Sequence, residues 1–136
     1  RGIGNPLLEN RPKIVSTDLE DHGFGTPGVD FLTQTVSHGA IVTNPPFRRA
    51  AQFIDKAASF GQPFAMLLKA TFWHAGKRQA LFVSTGPLAV APMTWRPSMA
   101  PERGKAGTMD FLWTIWGSQP SSKCEYRLLP RPAKKP

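Results

Sequence analysis

Residues 40–68 constrain the fold of this chain more than any other stretch. Ala40-Ile41-Val42-Thr43 is a short strand-forming run, and Asn44-Pro45-Pro46-Phe47 stops it at once. Proline fixes φ and has no N–H to donate, so Pro45 and Pro46 end the strand and stiffen the backbone beyond it. The stretch Arg48–Ser59 then carries Ala50, Phe53, Ile54, Ala57 and Ala58 at helical spacing, an apolar stripe that predicts an amphipathic helix. Gly61-Gln62-Pro63 breaks that helix. Phe64–Leu68 is apolar at consecutive positions, as in a strand buried on both faces. Strand, elbow, helix, strand is a βαβ unit, and it predicts an α/β fold with a parallel sheet.

The elbow presents the Asn44 side chain and its neighbouring carbonyls at the carboxyl end of a strand, where ligands bind in open α/β sheets. Asn and Pro are also favoured in ordinary turns for local reasons, so the tetrapeptide alone leaves both readings standing. As a whole, Asn44-Pro45-Pro46-Phe47 resembles the catalytic motif of the S-adenosylmethionine-dependent amino-methyltransferases. The best-known members of that family methylate the exocyclic amino group of adenine in DNA. Ile14-Val15-Ser16-Thr17-Asp18 resembles the family's second strand with its terminal acid. Gly28-Val29-Asp30-Phe31-Leu32 resembles the third, adenine-contacting motif, and Phe64–Lys69 the strand after the catalytic loop. Met109–Trp116 looks like one strand of the closing hairpin, with Glu125–Leu129 pairing to it across Gly117–Lys123. The resemblance covers roughly residues 14–129, and its wording is closest to phage-type DNA adenine methyltransferases.

That resemblance implies a class I methyltransferase-like (Rossmann-like) fold: a mostly parallel sheet, helices on both faces and a closing antiparallel hairpin. It implies S-adenosylmethionine as cofactor, with Asp18 on the ribose hydroxyls, Asp30 on the adenine amino group and Phe31 on the adenine ring. Read alone, Asp18 is more often a cap or turn residue, and the alternative for the other pair is Phe31 in the core and Asp30 capping a turn. The family's Gly-rich turn has its counterpart in Arg1-Gly2-Ile3-Gly4, which makes Gly2 and Gly4 the cofactor-turn candidates. No acid-Pro pair or first strand precedes them. The expectation is therefore a methyltransferase-like domain over 1–129 lacking its first strand, either a fragment or a domain whose first motif has decayed, with a basic Pro/Lys tail over 130–136.

The chemistry implied for the elbow follows from its residue types. An aryl amine is a weak nucleophile because its lone pair is delocalised into the ring. Two acceptors on its N–H bonds, the Asn44 side-chain oxygen and the Pro45 carbonyl, favour a more pyramidal nitrogen that can attack a sulfonium methyl in line. Positioning and electrostatics supply most of such catalysis. Phe47 would stack on the base and Pro46 would set the geometry. A base in a duplex must first leave the stack, and a tight aromatic pocket suits that. The motif also serves enzymes acting on RNA bases, protein glutamine or cytosine. A non-catalytic nucleic-acid-binding remnant is the alternative of another class.

Charge and cysteine content narrow the partners. The net charge of +8, from 17 Lys and Arg against 9 acids, attracts polyanions, and nucleic acid (DNA first) is the expected partner. Thr85–Thr108 is rich in Pro and Gly and carries Trp95, Arg96, Arg103 and Lys105, a mix suited to phosphates and unstacked bases. A surface loop without function is the competing reading. Phe72, Trp73 and His74 are further candidates for a target pocket, with plain packing as the commoner role. The single Cys124 excludes an internal disulfide and a zinc cluster, and His22 has no second ligand at metal spacing. No apolar run approaches the ~20 residues of a membrane helix, and no signal segment opens the chain. The expectation is a reduced, cytoplasmic protein without metal.

Overall fold

The computed structural model of the chain describes residues 13–37, 39–98, 104 and 107–134. The chain divides into two compact units, residues 1–34 and 35–136.

In the larger unit β1 (Ile41–Thr43) enters the elbow, and a 3₁₀ turn over Phe47–Arg49 leads into α1 (Ala50–Ser59). β2 (Phe64–Lys69) follows, then 3₁₀ turns over Ala70–His74 and Gly76–Arg78 and the helix α2 (Gln79–Thr85). The chain ends with β3 (Ala89–Pro92), β4 (Phe111–Trp116) and β5 (Glu125–Tyr126). The βαβ unit read from the periodicity is present: β1 and β2 lie parallel, with Ile41 beside Phe64 and Thr43 beside Met66. The helix starts two residues later than the stretch Arg48–Ser59 read as helical, at the first residue of its apolar stripe, because Phe47–Arg49 winds as a tighter turn.

The five strands form one mixed sheet in the order β1-β2-β4-β3-β5. Four strands run in one direction, and β4 alone runs against them between β2 and β3. Two expectations are corrected here. Glu125–Leu129 does not pair with Met109–Trp116; β5 pairs in parallel with Ala89 and Val90 of β3. The antiparallel partners of β4 are β2 and β3. Phe111, Thr114 and Trp116 explain this, since all three are buried and an outer hairpin would have exposed them. The second correction is β3 itself, which lies within the segment read as a loop. Its Ala-Val-Ala-Pro sequence is short and flanked by prolines, which demotes a strand when only local signals are read.

Register assigns the faces. Phe64, Met66 and Leu68 stand beside Trp116, Thr114 and Leu112 on one face. This face holds most of the core: Met66, Leu68, Ile54, Ala57 and Trp116 are all essentially inaccessible, while buried Ala89, Ala91 and Phe111 stand on the other face by register. Phe64 stacks on Trp116 with ring centroids 4.5 Å apart, a contact whose geometry adds to simple burial. The Trp116 indole Nε1–H donates to Thr85 Oγ1 (3.1 Å) at the end of α2, and Thr85 Oγ1 donates to the Leu81 carbonyl (2.7 Å). α1 packs on α2 and on β2. The described α-helices of this unit therefore cover one face, rather than both as the resemblance implied. Ala65, Leu67, Trp113 and Ile115 on the opposite face are half-buried. The chain stays tied to the sheet beyond β5, where Leu129 N–H donates to the Pro92 carbonyl and Arg131 N–H to Thr94 Oγ1.

The smaller unit departs further from expectation. Lys13–Thr17 forms no strand; the described residues of this unit hold one isolated bridge, Thr17 to Thr26. A strand needs a neighbour to take its N–H and C=O groups, and here those bonds come from the chain folding back on itself: Thr26 N–H donates to the Ser16 carbonyl and Asp18 N–H to the Thr26 carbonyl. Ile14 and Val15 stay exposed. The segment likened to the adenine-contacting motif enters a 3₁₀ turn over Phe31–Thr33.

No described helix is long and apolar enough to cross a membrane.

Candidate functional site: the elbow after β1

The elbow leaves β1 at the carboxyl end of the parallel pair, so the carboxyl end of β2 is its neighbour. Pro46 has φ −55° and ψ 131°, an extended conformation set by its ring, and its carbonyl accepts from the Arg49 N–H (2.9 Å) to start the next turn. Pro45 is buried and anchors the bend, while Asn44 is exposed. Neither the Asn44 carboxamide nor the Pro45 carbonyl bonds to any described residue. The two acceptors assigned to an incoming amine are thus both uncommitted.

Phe47 is 40% exposed, with its ring 5.9 Å from that of Phe111. The Lys69 ammonium lies over the Phe47 ring, 4.1 Å from its centroid. A base can stack on that face of Phe47 only when Lys69 swings aside. Lys69 was not among the residues singled out from sequence. The signal was available, because a lysine closing the strand parallel to β1 must sit beside whatever follows β1.

A small cavity of about 290 Å³ opens next to the elbow, lined by Phe47, Arg48, Lys69, Thr71, Phe72 and Arg78 among others. The Arg78 guanidinium lies 4.0 Å from the Phe72 ring centroid, and its Nη1 donates to the Phe72 carbonyl (2.8 Å). Phe72 therefore lines the cavity beside Phe47. Trp73 does not: it stacks on Phe82 at 3.9 Å and, with His74, lines a wider groove of about 670 Å³ that includes Gly86, Ser121 and Cys124. Burial pushes the Cys124 thiol pKa up.

The cofactor candidates lie in the smaller unit. Asp18 is exposed, and one of its oxygens accepts from the Glu20 N–H (3.1 Å) while the other is 4.0 Å from His22 Nε2. Asp30 caps the Phe31–Thr33 turn, accepting from the Leu32 N–H (3.0 Å), and Phe31 is half-buried. Each aspartate thus commits one oxygen to a backbone N–H two residues on, and the second Asp18 oxygen faces His22. Gly2 and Gly4 lie outside the described residues. Of the basic loop, Arg103 and Lys105 also lie outside them. Arg96 is held by Asp110 through an exposed 2.7 Å ion pair, which raises its pKa and occupies a charge read as free for phosphate. No group of side chains able to hold a metal ion occurs among the described residues.

No family model and no curated protein sequence matches this chain. Among solved structures it is similar to a predicted O-methyltransferase from Agrobacterium tumefaciens, with a TM-score of 0.38 and 20% identity. That likeness covers 68% of this chain and 39% of the other, so the chain spans well under half the length of the protein it resembles.

Proposed function

We propose that this chain carries the catalytic elbow of an S-adenosylmethionine-dependent amino-methyltransferase whose acceptor is the exocyclic amino nitrogen of adenine in DNA. One observation carries the reading: the exposed Asn44 carboxamide and the carbonyl of buried Pro45, neither bonded to a described residue, stand at the carboxyl end of a parallel strand beside a partly exposed aromatic ring. Bound S-adenosylmethionine supplies an electrophilic methyl group on a sulfonium. The chain's own contribution is to orient the acceptor. The Asn44 oxygen and the Pro45 carbonyl each accept one N–H of the amine, and Phe47 supports the flat face of the base. Asp18 and Asp30 are the residues that would hold the cofactor's nucleoside.

A calorimetric titration with S-adenosylmethionine tests the cofactor half, and Asp18→Ala should weaken the binding. Transfer of labelled methyl to adenine-containing DNA tests the rest, with cytosine-containing DNA, RNA and a glutamine peptide as competing acceptors. Asn44→Ala should lower transfer by about 100-fold or more, the scale of losing one preorganised polar contact at a reacting centre. Preferential labelling of RNA or peptide would replace DNA as the acceptor. A second reading, a nucleic-acid-binding module without catalysis, is favoured by the loop that stands where the cofactor-binding strand was expected. It predicts binding that survives Asn44→Ala and is indifferent to S-adenosylmethionine.

A further inference from the structure

The cavity beside the elbow has an unusual charge inventory. Arg48, Lys69 and Arg78 all line it, no acidic residue does, and none of the three forms an ion pair among the described residues. The other lining groups are the rings of Phe47 and Phe72, the Thr71 hydroxyl, and Ala50 and Leu68. Lys69 and Arg78 lie against those rings, so their charges converge on the cavity.

A second feature points the same way independently. α1 begins at Ala50, on the cavity wall, and its N-terminus carries the positive end of the helix dipole. Helices normally place an acid or a capping side chain there. This one has no acid in its first turn and no side-chain cap, and Arg48 and Arg49 come immediately before it. Two arginines at the positive end of a helix repel it, and an anion between them would remove the conflict.

We propose that this cavity is a phosphodiester-binding site, in which Arg48, Lys69, Arg78 and the amino end of α1 hold the backbone phosphate next to the nucleotide presented to Asn44. The proposal rests on the reading of the elbow as an amine-acceptor site and names the class of molecule that delivers the amine. A neutral glutamine side chain needs no such field; a nucleic-acid strand brings its own anion, one bond system away from the base. Arg78 contributes a fixed fork of N–H donors, since its remaining nitrogens stay free once Nη1 has bonded the Phe72 carbonyl. Lys69 adds a movable charge. A phosphate that draws the ammonium off the Phe47 ring would also clear that face for the base, coupling backbone grip to stacking.

The test is equilibrium binding of the whole chain to a fluorescent single-stranded DNA oligonucleotide without S-adenosylmethionine, across a salt series. Lys69→Gln and Arg78→Gln should each weaken binding several-fold and make the log–log salt dependence shallower by about 0.7, the value of one phosphate contact on a single strand. Lys69→Arg, which keeps the charge, should restore both quantities and so excludes misfolding as the cause. Lys123→Gln and Arg131→Gln, exposed basic positions away from the cavity, measure the background of diffuse attraction. Equal losses for cavity and background variants would overturn the proposal, as would an unchanged slope for Lys69→Gln. Binding by inorganic phosphate as tight as by the oligonucleotide would also overturn it, because the site would then take a free anion. Because the readout needs no methyl transfer, a chain that shows these effects yet methylates nothing would keep the phosphodiester site and lose the catalytic reading. Transfer to DNA that is indifferent to Lys69 and Arg78 would do the reverse.

Discussion

Thr85 and Thr114 are both buried, and replacing each by valine should shift stability in opposite directions. Thr85 Oγ1 is the only described partner of the Trp116 indole N–H, and Trp116 is 1% exposed. Thr85→Val conserves volume but leaves that N–H buried without an acceptor, a penalty of about 1–3 kcal/mol. The Leu81 carbonyl loses the Thr85 hydroxyl but keeps its place in the helical ladder, so little is added on that side. Helix propensity is nearly the same for Thr and Val and cancels. Thr114 is the mirror case: it is 0% exposed on the same sheet face, and its hydroxyl has no partner among the described residues. Thr114→Val removes an unsatisfied buried polar atom from a strand that valine suits, so stability should be unchanged or gain about 1 kcal/mol. For a domain of this size each kcal/mol moves Tm by about 4–8 °C. Thermal unfolding followed by circular dichroism should place Thr85→Val at least about 4 °C below the parent and Thr114→Val at or above it. Two shifts of the same sign would refute the assignment of the Trp116 hydrogen bond as a structural constraint.

Further outcomes follow from particular residues. Gly86 closes α2 at φ +52°, and an added Cβ would lie 2.6 Å from Ser121 N and 2.7 Å from Ser121 O. Gly86→Ala should therefore cost more than the roughly 1–2 kcal/mol of left-handed strain alone, read from urea unfolding, and a smaller loss would mean the Ser121 segment yields easily. Cys124 has its thiol pKa raised by burial, so at pH 8 iodoacetamide should alkylate it more slowly than a free peptide cysteine, with the gap closing as pH rises. The linked effect has a definite sign. The fold favours the protonated thiol, so this group's contribution is intact below the unfolded thiol's pKa and is lost as pH climbs through the folded one. Cys124 is exposed, so an alkylation rate matching the free peptide at pH 8 would contradict the raised thiol pKa rather than reflect blocked access.

Local signals read the elbow well because every element of it is set by near neighbours in the chain. The apolar stripe through Ala50, Phe53, Ile54 and Ala57 identifies α1, and Ala50, Ile54 and Ala57 are buried. The two prolines stop β1 where the structure stops it. The run Phe64–Leu68 gives β2, though its inaccessible positions alternate, 64, 66 and 68, rather than running continuously. Reading failed where a strand's existence depends on its partner. Lys13–Thr17 has strand composition but pairs only through one bridge, whereas Ala89–Pro92 has weak composition and becomes a strand because β4 and β5 bond to it on either side.

The same division runs through the site. Proline stereochemistry and helical periodicity act over a few residues, so the chain alone specifies a rigid Asn-Pro-Pro-Phe bend between a strand and a helix. Which charges surround that bend is a matter of register. Lys69 reaches Phe47 because β2 lies parallel to β1, and Arg78 reaches the same cavity because the turns after β2 fold back over Phe72. The insertion of β4 between β2 and β3, which carries Phe111 to the elbow, is likewise invisible to any local pattern. Strand order is chosen by which arrangement buries Phe64, Met66, Thr114 and Trp116 together, and that burial is a property of the assembled sheet.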